Sequence, residues 1–296
     1  MTEPTLSELR GEIDRLDDQL VDLLLRRTDL VRAIGSLKGA DGSGVLRPGR
    51  EAEILRRLLV RAGAGLDGAA VVRIFREIVS AAVRQQGPFS VAASMPEGGP
   101  SCWGLARDQY GAGLPIRPMA GPIQVVAAVA EGSVSVGVVP YPVSEEAQPW
   151  WPPLMAERAP RVVARLPAAD GLAPAEGCEE GLALAMMVPE PSGDDRSLIG
   201  LETEEGLGRS RIGEAFATAG LNLRASWRRP AGGGYDHGGI LAEVDGFVMT
   251  DGPAFAALQM ALGAAVSRVS VIGAYAVPPD VTGASTSAAG TPGDDQ

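Results

Sequence analysis

The apolar positions of the first forty residues keep one register. Leu6, Leu9, Ile13, Leu16, Leu20, Leu23, Leu30, Ile34 and Leu37 advance by alternating steps of three and four, the seam of a packed or coiled helix. Thr5 and Glu8 have the spacing of a capping box, so the helix is predicted over 5–38. Its length would be about 50 Å at ~1.5 Å per residue. Two short helices of the same chain cannot cover that length, and pairing with a second copy is expected. Where the register calls for an apolar residue at 27, the chain has Arg27. Glycines and an aspartate between 39 and 44 break the helix. Pro48 suits a first helical turn, a second helix is predicted over 50–60, and a third over 69–86 with Val72, Phe75, Ile78, Val79 and Ala82 inward.

From Phe89 the rhythm changes. Strand-like 89–93, helical 102–110, a strand near Ile116, helical 122–131 and strand-like 134–140 predict a small α/β lobe. Residues 140–181 are rich in Pro, Ala and Glu with weak periodicity and are expected to be linker, with Trp150 and Trp151 as a packing anchor. From Arg196 a β-α-β-β-α-β succession is predicted: 197–202, 208–220, 222–228, 239–248, 253–263 and 268–276. That is the ferredoxin-like order. Residues after Pro278 are expected to be disordered. The chain therefore reads as multidomain: a helical unit at 1–88, an α/β lobe with linker at 89–190, an α+β unit at 191–278 and a tail at 279–296.

Charge and composition then narrow the function. A net charge of −11 argues against nucleic acid and anionic membranes as partners, so an anionic ligand has to be met by a local cationic cluster. Cys102 and Cys178 have neither a disulfide framework nor metal-ligand spacing, and Cys102 is expected to be a half-buried thiol. No metal or cofactor is expected. Lacking an apolar run near 20 residues or a signal-like start, the sequence reads as cytoplasmic. Gly63 to Gly68 matches GxGxxG but follows no strand and is read as a turn; His237, the one histidine, is assigned to a loop.

The cations of the helical unit are Arg10, Arg27, Lys38, Arg47 and Arg50, and Lys38 is the only lysine in a chain with 26 basic residues. Arg27 and Lys38 are eleven residues apart, about 20° out of phase on a helix, and share a face. A buried Arg27 requires a counter-charge. The pattern alone favours a structural salt bridge, to Asp29 or to a Glu of a partner chain, and leaves a substrate carboxylate open.

The segments LRGEIDRLDDQLVDLLLRRTDLVRAIGSLKG, LRPGREAEILRRL and VVRIFREIVSAAVRQQ, taken in order, resemble the all-helical class of chorismate mutase over residues ~5–86. The resemblance implies a homodimer of interlocked three-helix chains, with active sites shared between subunits and no cofactor. By position it implies that Arg10 (from the partner chain) and Arg27 clamp the substrate carboxylates. Lys38 and Gln86 would bond the ether oxygen, and Arg50 and Glu51 match the Arg-Glu of the second helix, whose Glu contacts the substrate hydroxyl. Arg47 and Ala82 depart from residues some members carry there, an Asp and a Ser. A neutral Gln86 donates at any pH, so no acid requirement is expected.

The later segments are similar to the first lobe of prephenate dehydratase (89–140) and to a regulatory ACT domain (from about 193), the order of the bifunctional mutase–dehydratase. Departures are expected to cost the dehydratase activity: Glu180-Gly181-Leu182-Ala183-Leu184 stands where the Thr-Arg-Phe signature belongs, and Tyr141-Pro142-Val143-Ser144 where Glu-Asn-Ser is expected. Gly206-Leu207-Gly208-Arg209 and Ser226-Trp227-Arg228-Arg229-Pro230 replace the ACT effector stretches. An amino-acid effector is therefore less expected than a second dimerisation surface. Rival readings are a still-bifunctional enzyme, a non-catalytic amino-acid sensor, and pyruvate elimination from isochorismate by the same helical fold.

Overall fold

The computed structural model describes residues 4–38 (36–38 by backbone alone), 46–143, 149–172, 177–203, 207–232 and 235–282. The expected break at 39–44 and most of the tail, 283–296, lie outside them. Helix α1 spans Leu6–Lys38. Its capping box is reciprocal: the Thr5 amide donates to Glu8 Oε2 at 2.8 Å, and the Glu8 amide donates to Thr5 Oγ1 at 3.3 Å. Helix α2 (Pro48–Ala62) starts on the proline, and α3 (Gly68–Gln86) follows the 3₁₀ turn Gly63–Gly65, so GxGxxG is indeed a turn between helices.

The chain divides into two compact units, and the division does not follow the expected boundary after 88. One unit is Met1–Leu46 with Ala81–Pro88; the other is Arg47–Ser80 with Phe89–Gln296. Helix α2 and most of α3 therefore belong with the α/β body. Leu55 and Val72 are buried with Ala169, flanked by Leu59, Phe75, Leu172 and Val281. The Arg56 guanidinium donates to the carbonyls of Ser192, Asp194 and Val277 at 2.9, 2.7 and 3.0 Å. Each bond satisfies a carbonyl at a strand end or loop that would otherwise need water.

In the body, β1 (Val91–Ser94), α4 (Trp103–Tyr110), β2 (Ile116–Met119), α5 (Pro122–Ala130) and β3 (Val136–Pro140) form two parallel crossover units, as the alternating pattern predicts. The expected linker at 140–181 is a correction. It holds β4 (Arg161–Leu166), and β5 (Gly181–Ala185) begins at its end. Its Trp150 and Trp151 are wholly buried with Leu154, Val162, Leu184, Leu198 and Ile272. The pair is the anchor that was expected, but of a core.

Strands β6 (Asp195–Thr203), β7 (Leu223–Arg229), β8 (Gly238–Asp245) and β9 (Val266–Ala276) alternate with α6 (Arg209–Thr218) and α7 (Pro253–Leu262) in the β-α-β-β-α-β order read from the sequence. The nine strands among the described residues form one sheet, β2-β1-β3-β5-β4-β9-β6-β8-β7, and the expected boundary at 190/191 interrupts no separate core. The join is the parallel contact of Val162 on β4 with Gly273 on β9. Gly273 has φ 155°, and any Cβ there would collide with the Val162 backbone, so the close approach requires glycine. The tail expectation is also corrected at its start. The Asp170 amide donates to the Pro279 carbonyl at 2.9 Å, and the Val281 amide donates to the Asp170 carbonyl at 3.1 Å.

Candidate active site

The residues singled out by the sequence fall into two groups, one on each unit. On the first unit, α1 carries Arg10, Arg27 and Lys38, while Gln86 ends α3. Arg10 is exposed and Arg27 half-buried. The expected salt bridge of Arg27 to Asp29 is not formed. Asp29 pairs with Arg32 at 3.4 Å, and Arg27 makes no ion pair among the described residues. The Lys38 side chain lies outside the described residues. Gln86 lies over Gly35: a Cβ there would be 3.5 Å from Gln86 Cγ. Its Nε2 reaches only the Ala82 carbonyl, at a long 3.4 Å, so the amide is weakly held within its own helix. Gly35 is one helical turn before Lys38 on α1, which places the end of α3 beside the Lys38 end of the long helix.

The second group is Arg50 and Glu51 on α2. Arg50 is exposed and pairs with Glu53 at 2.7 Å. Glu51 is buried, and its Oε2 accepts from Arg76 NH1 at 2.8 Å. Arg76 was not singled out by the sequence. Its position among Val72, Phe75 and Val79 on α3 reads as an ordinary helical face, and only the fold supplies the carboxylate that keeps it inside. The Arg76 Nε and NH2 have no partner, nor does Gln109 Oε1; all three are buried, and Arg76 and Gln109 border the same two small cavities with Ala168.

Another buried carboxylate of the α/β body, Glu243, accepts hydrogen bonds from the Tyr141 and Tyr275 hydroxyls. Arg196 approaches it at 3.7 Å. Burial, with Glu243 adding to it, pushes both phenols above the usual tyrosine range, so they remain proton donors. The stretch standing in place of Thr-Arg-Phe is mostly β5, buried from Gly181 to Ala185, with Glu180 tied to Arg165 at 2.6 Å. Within it there is no free cation to hold a substrate carboxylate. Of the other expected motif positions, Ser144 and Gly206 lie outside the described residues. His237 sits in an exposed loop and uses its carbonyl to accept from Arg229. No group of three or more His, Cys, Asp or Glu side chains able to hold a metal occurs among the described residues.

The family model of chorismate mutase type II matches residues 9–87. Residues 9–87 thus carry the similarity to chorismate mutase type II. The similarity to curated proteins runs over a longer stretch than this segment. A bifunctional chorismate mutase/prephenate dehydratase of Stutzerimonas stutzeri is 33% identical over 146 residues, covering 48% of this chain and 40% of that protein. A protein of the same description from Pseudomonas aeruginosa is 34% identical over the same length. An intracellular chorismate mutase of Mycobacterium tuberculosis is 39% identical over 54 residues, 18% of this chain and 51% of that protein. The chain thus spans about two fifths of the length of these bifunctional relatives. Among solved structures, prephenate dehydratase from Streptococcus mutans overlaps 64% of this chain and 98% of its own, with TM-score 0.45 and 16% identity. No helix among the described residues is long and apolar enough to cross a membrane.

Proposed function

We propose that the protein is a homodimeric chorismate mutase that rearranges chorismate to prephenate, with a body derived from a dehydratase and an ACT-like, ferredoxin-type end that no longer catalyse or sense. The observation that carries this reading is the mutase match at 9–87, which retains Arg10, Arg27, Lys38, Arg50, Glu51 and Gln86 at the positions the resemblance assigns to the substrate. The reaction is a unimolecular pericyclic rearrangement. It requires no nucleophile, metal or cofactor: the substrate is held in its chair-like conformer, and donors face the ether oxygen, where negative charge develops. Arg10 and Arg27 suit carboxylates by their forked donors. Lys38 and Gln86 suit the single ether oxygen.

Dimerisation is supported by the long helix. Leu9, Leu16, Leu20, Leu23, Leu30 and Ile34 are all exposed on α1, at 47 to 66%. A three-to-four-spaced apolar seam of about 50 Å in water is a surface that a second copy of the same helix covers. Arg10 would then serve the partner's site and Arg27 would meet a substrate carboxylate, which accounts for a half-buried cation in the seam.

Incubation of the purified protein with chorismate, with every product identified by NMR, tests the reading. Prephenate alone supports it. Phenylpyruvate would establish the bifunctional alternative. Unchanged chorismate would reject the enzyme and leave the amino-acid sensor, while a pyruvate-elimination product would reassign the chemistry.

A further inference from the structure

Two thiols that sequence spacing leaves unrelated meet inside the α/β body. Cys102 Sγ and Cys178 Sγ are 2.9 Å apart although the residues are 76 positions apart in the chain. Cys102 is completely buried and Cys178 is 5% exposed, so the expectation of a solitary, half-buried thiol at 102 does not hold. The backbone holds the pair in register. Cys102 occupies the N-cap of α4, its amide donating to the Ser94 carbonyl at the end of β1 at 2.8 Å. The Cys178 amide donates to the Ser101 carbonyl at 2.9 Å. Gly177 has φ 96°, and a Cβ there would collide with the Ser101 carbonyl, so only glycine lets the two segments lie this close. Both cysteines are free thiols in the structure.

We propose that Cys102 and Cys178 form a reversible dithiol–disulfide site whose co-reactant is a small-molecule disulfide, and that oxidation fastens the segment entering β5 to the start of α4. Closing the sulfurs to the ~2.05 Å of a disulfide needs a movement of less than about 1 Å. The order of events follows from exposure and charge. Cys178 is the more accessible thiol and is flanked by exposed Gly177 and Glu179. The contact with Cys102 draws the Cys178 thiol down, so Cys178 is the one that ionises, while the same contact and burial hold the Cys102 proton on. The Cys178 thiolate attacks one sulfur of RSSR, forming a mixed disulfide and expelling RS⁻, which takes up a proton. The Cys178 charge that kept Cys102 protonated is then gone. Cys102 loses its proton and attacks the Cys178 sulfur, expelling a second RS⁻. The balance is two protein thiols and one RSSR giving one protein disulfide and two RSH. The bond closes a loop containing α4, β2, α5, β3 and β4, and a loop of that size adds stability chiefly by restraining the unfolded chain.

The test uses the full-length protein in glutathione buffers of graded ratio, quenched by acid and alkylated after unfolding. The expected result is loss of two hydrogen atoms from the intact mass, a cross-linked peptide joining Cys102 to Cys178, and reversal by excess dithiol. The oxidised form should melt higher by roughly 5 °C or more. Peptide mapping of the wild type requires no variant, so it stands even if Cys178→Ser folds poorly; where that variant folds, it should melt alike in oxidising and reducing buffer. Two thiols that both alkylate after exposure to oxidised glutathione would overturn the proposal. So would a persistent glutathione adduct on Cys178 without the internal bond.

Discussion

Arg76→Met is the most informative perturbation of the α2–α3 hairpin. Its guanidinium donates through NH1 to Glu51 at 2.8 Å, and the two side chains are 4% and 11% exposed. The substitution leaves the Glu51 carboxylate among Pro48, Leu55, Val163 and Ala168 without its partner. Removing one member of a buried ion pair costs about 3–5 kcal/mol. The low end applies here, because Arg76 already buries two unpartnered nitrogens, each a standing penalty of about 1–3 kcal/mol that the substitution relieves. A loss near 3 kcal/mol is therefore expected. Glu51→Leu added to Arg76→Met removes the orphaned charge as well, and the double variant should return to within about 1 kcal/mol of the wild type. The assay is urea unfolding followed by tryptophan fluorescence. All four tryptophans (103, 150, 151 and 227) lie in the unit that carries the pair, so the signal reports on that unit alone. The midpoint should fall in the single variant with the slope unchanged. A single variant costing less than about 1 kcal/mol, or a double variant worse than the single, would refute the reasoning.

Three other outcomes are expected, the first resting on the proposed mutase function. Lys38→Ala should lower kcat about 100-fold or more, the scale of removing one donor to developing charge, with unchanged helical circular dichroism; near-normal turnover would remove Lys38 from the site. Leu20→Asp places a charge in the middle of the exposed α1 seam and should turn a dimer into a monomer by light scattering; a wild type already monomeric at micromolar concentration would sink the pairing. Tyr110, Tyr141 and Tyr275 have phenols raised by burial, so the folded state holds protons that the unfolded state releases. Their contribution is complete below about pH 10 and is lost as pH rises above it. Urea midpoints measured against pH should fall in that window as tyrosinate absorbance appears, and a flat profile there would contradict the assignment.

Much of this protein was legible in one dimension. The 3–4 seam, Thr5 with Glu8, and Pro48 fixed three helices to within a few residues, because amphipathic period and capping are local properties. The β-α-β-β-α-β succession after residue 195 was legible for the same reason. The segment 140–181 was not. Arg161-Val-Val-Ala-Arg-Leu166 is short and carries two arginines, and it becomes a strand because β5 and β9 flank it and carbonyls of Leu154, Ala156 and Glu157 accept from Arg161. Trp150 and Trp151 signalled burial but not what would cover them.

The candidate residues divide along the same line. Motif order sufficed to single out Arg10, Arg27, Lys38, Arg50, Glu51 and Gln86, since those positions follow from a local helical pattern and a family resemblance. Tertiary structure alone decided that Glu51 meets Arg76, that α2 and most of α3 join the α/β body, and that Cys102 meets Cys178. Each depends on contacts between residues far apart in the chain, 25 positions for the ion pair and 76 for the thiols, and no local period records which distant segment will pack against which. Helix and strand patterns say which face must be buried; the partner that buries it, and the charge or thiol it brings, are settled only when the sheet closes.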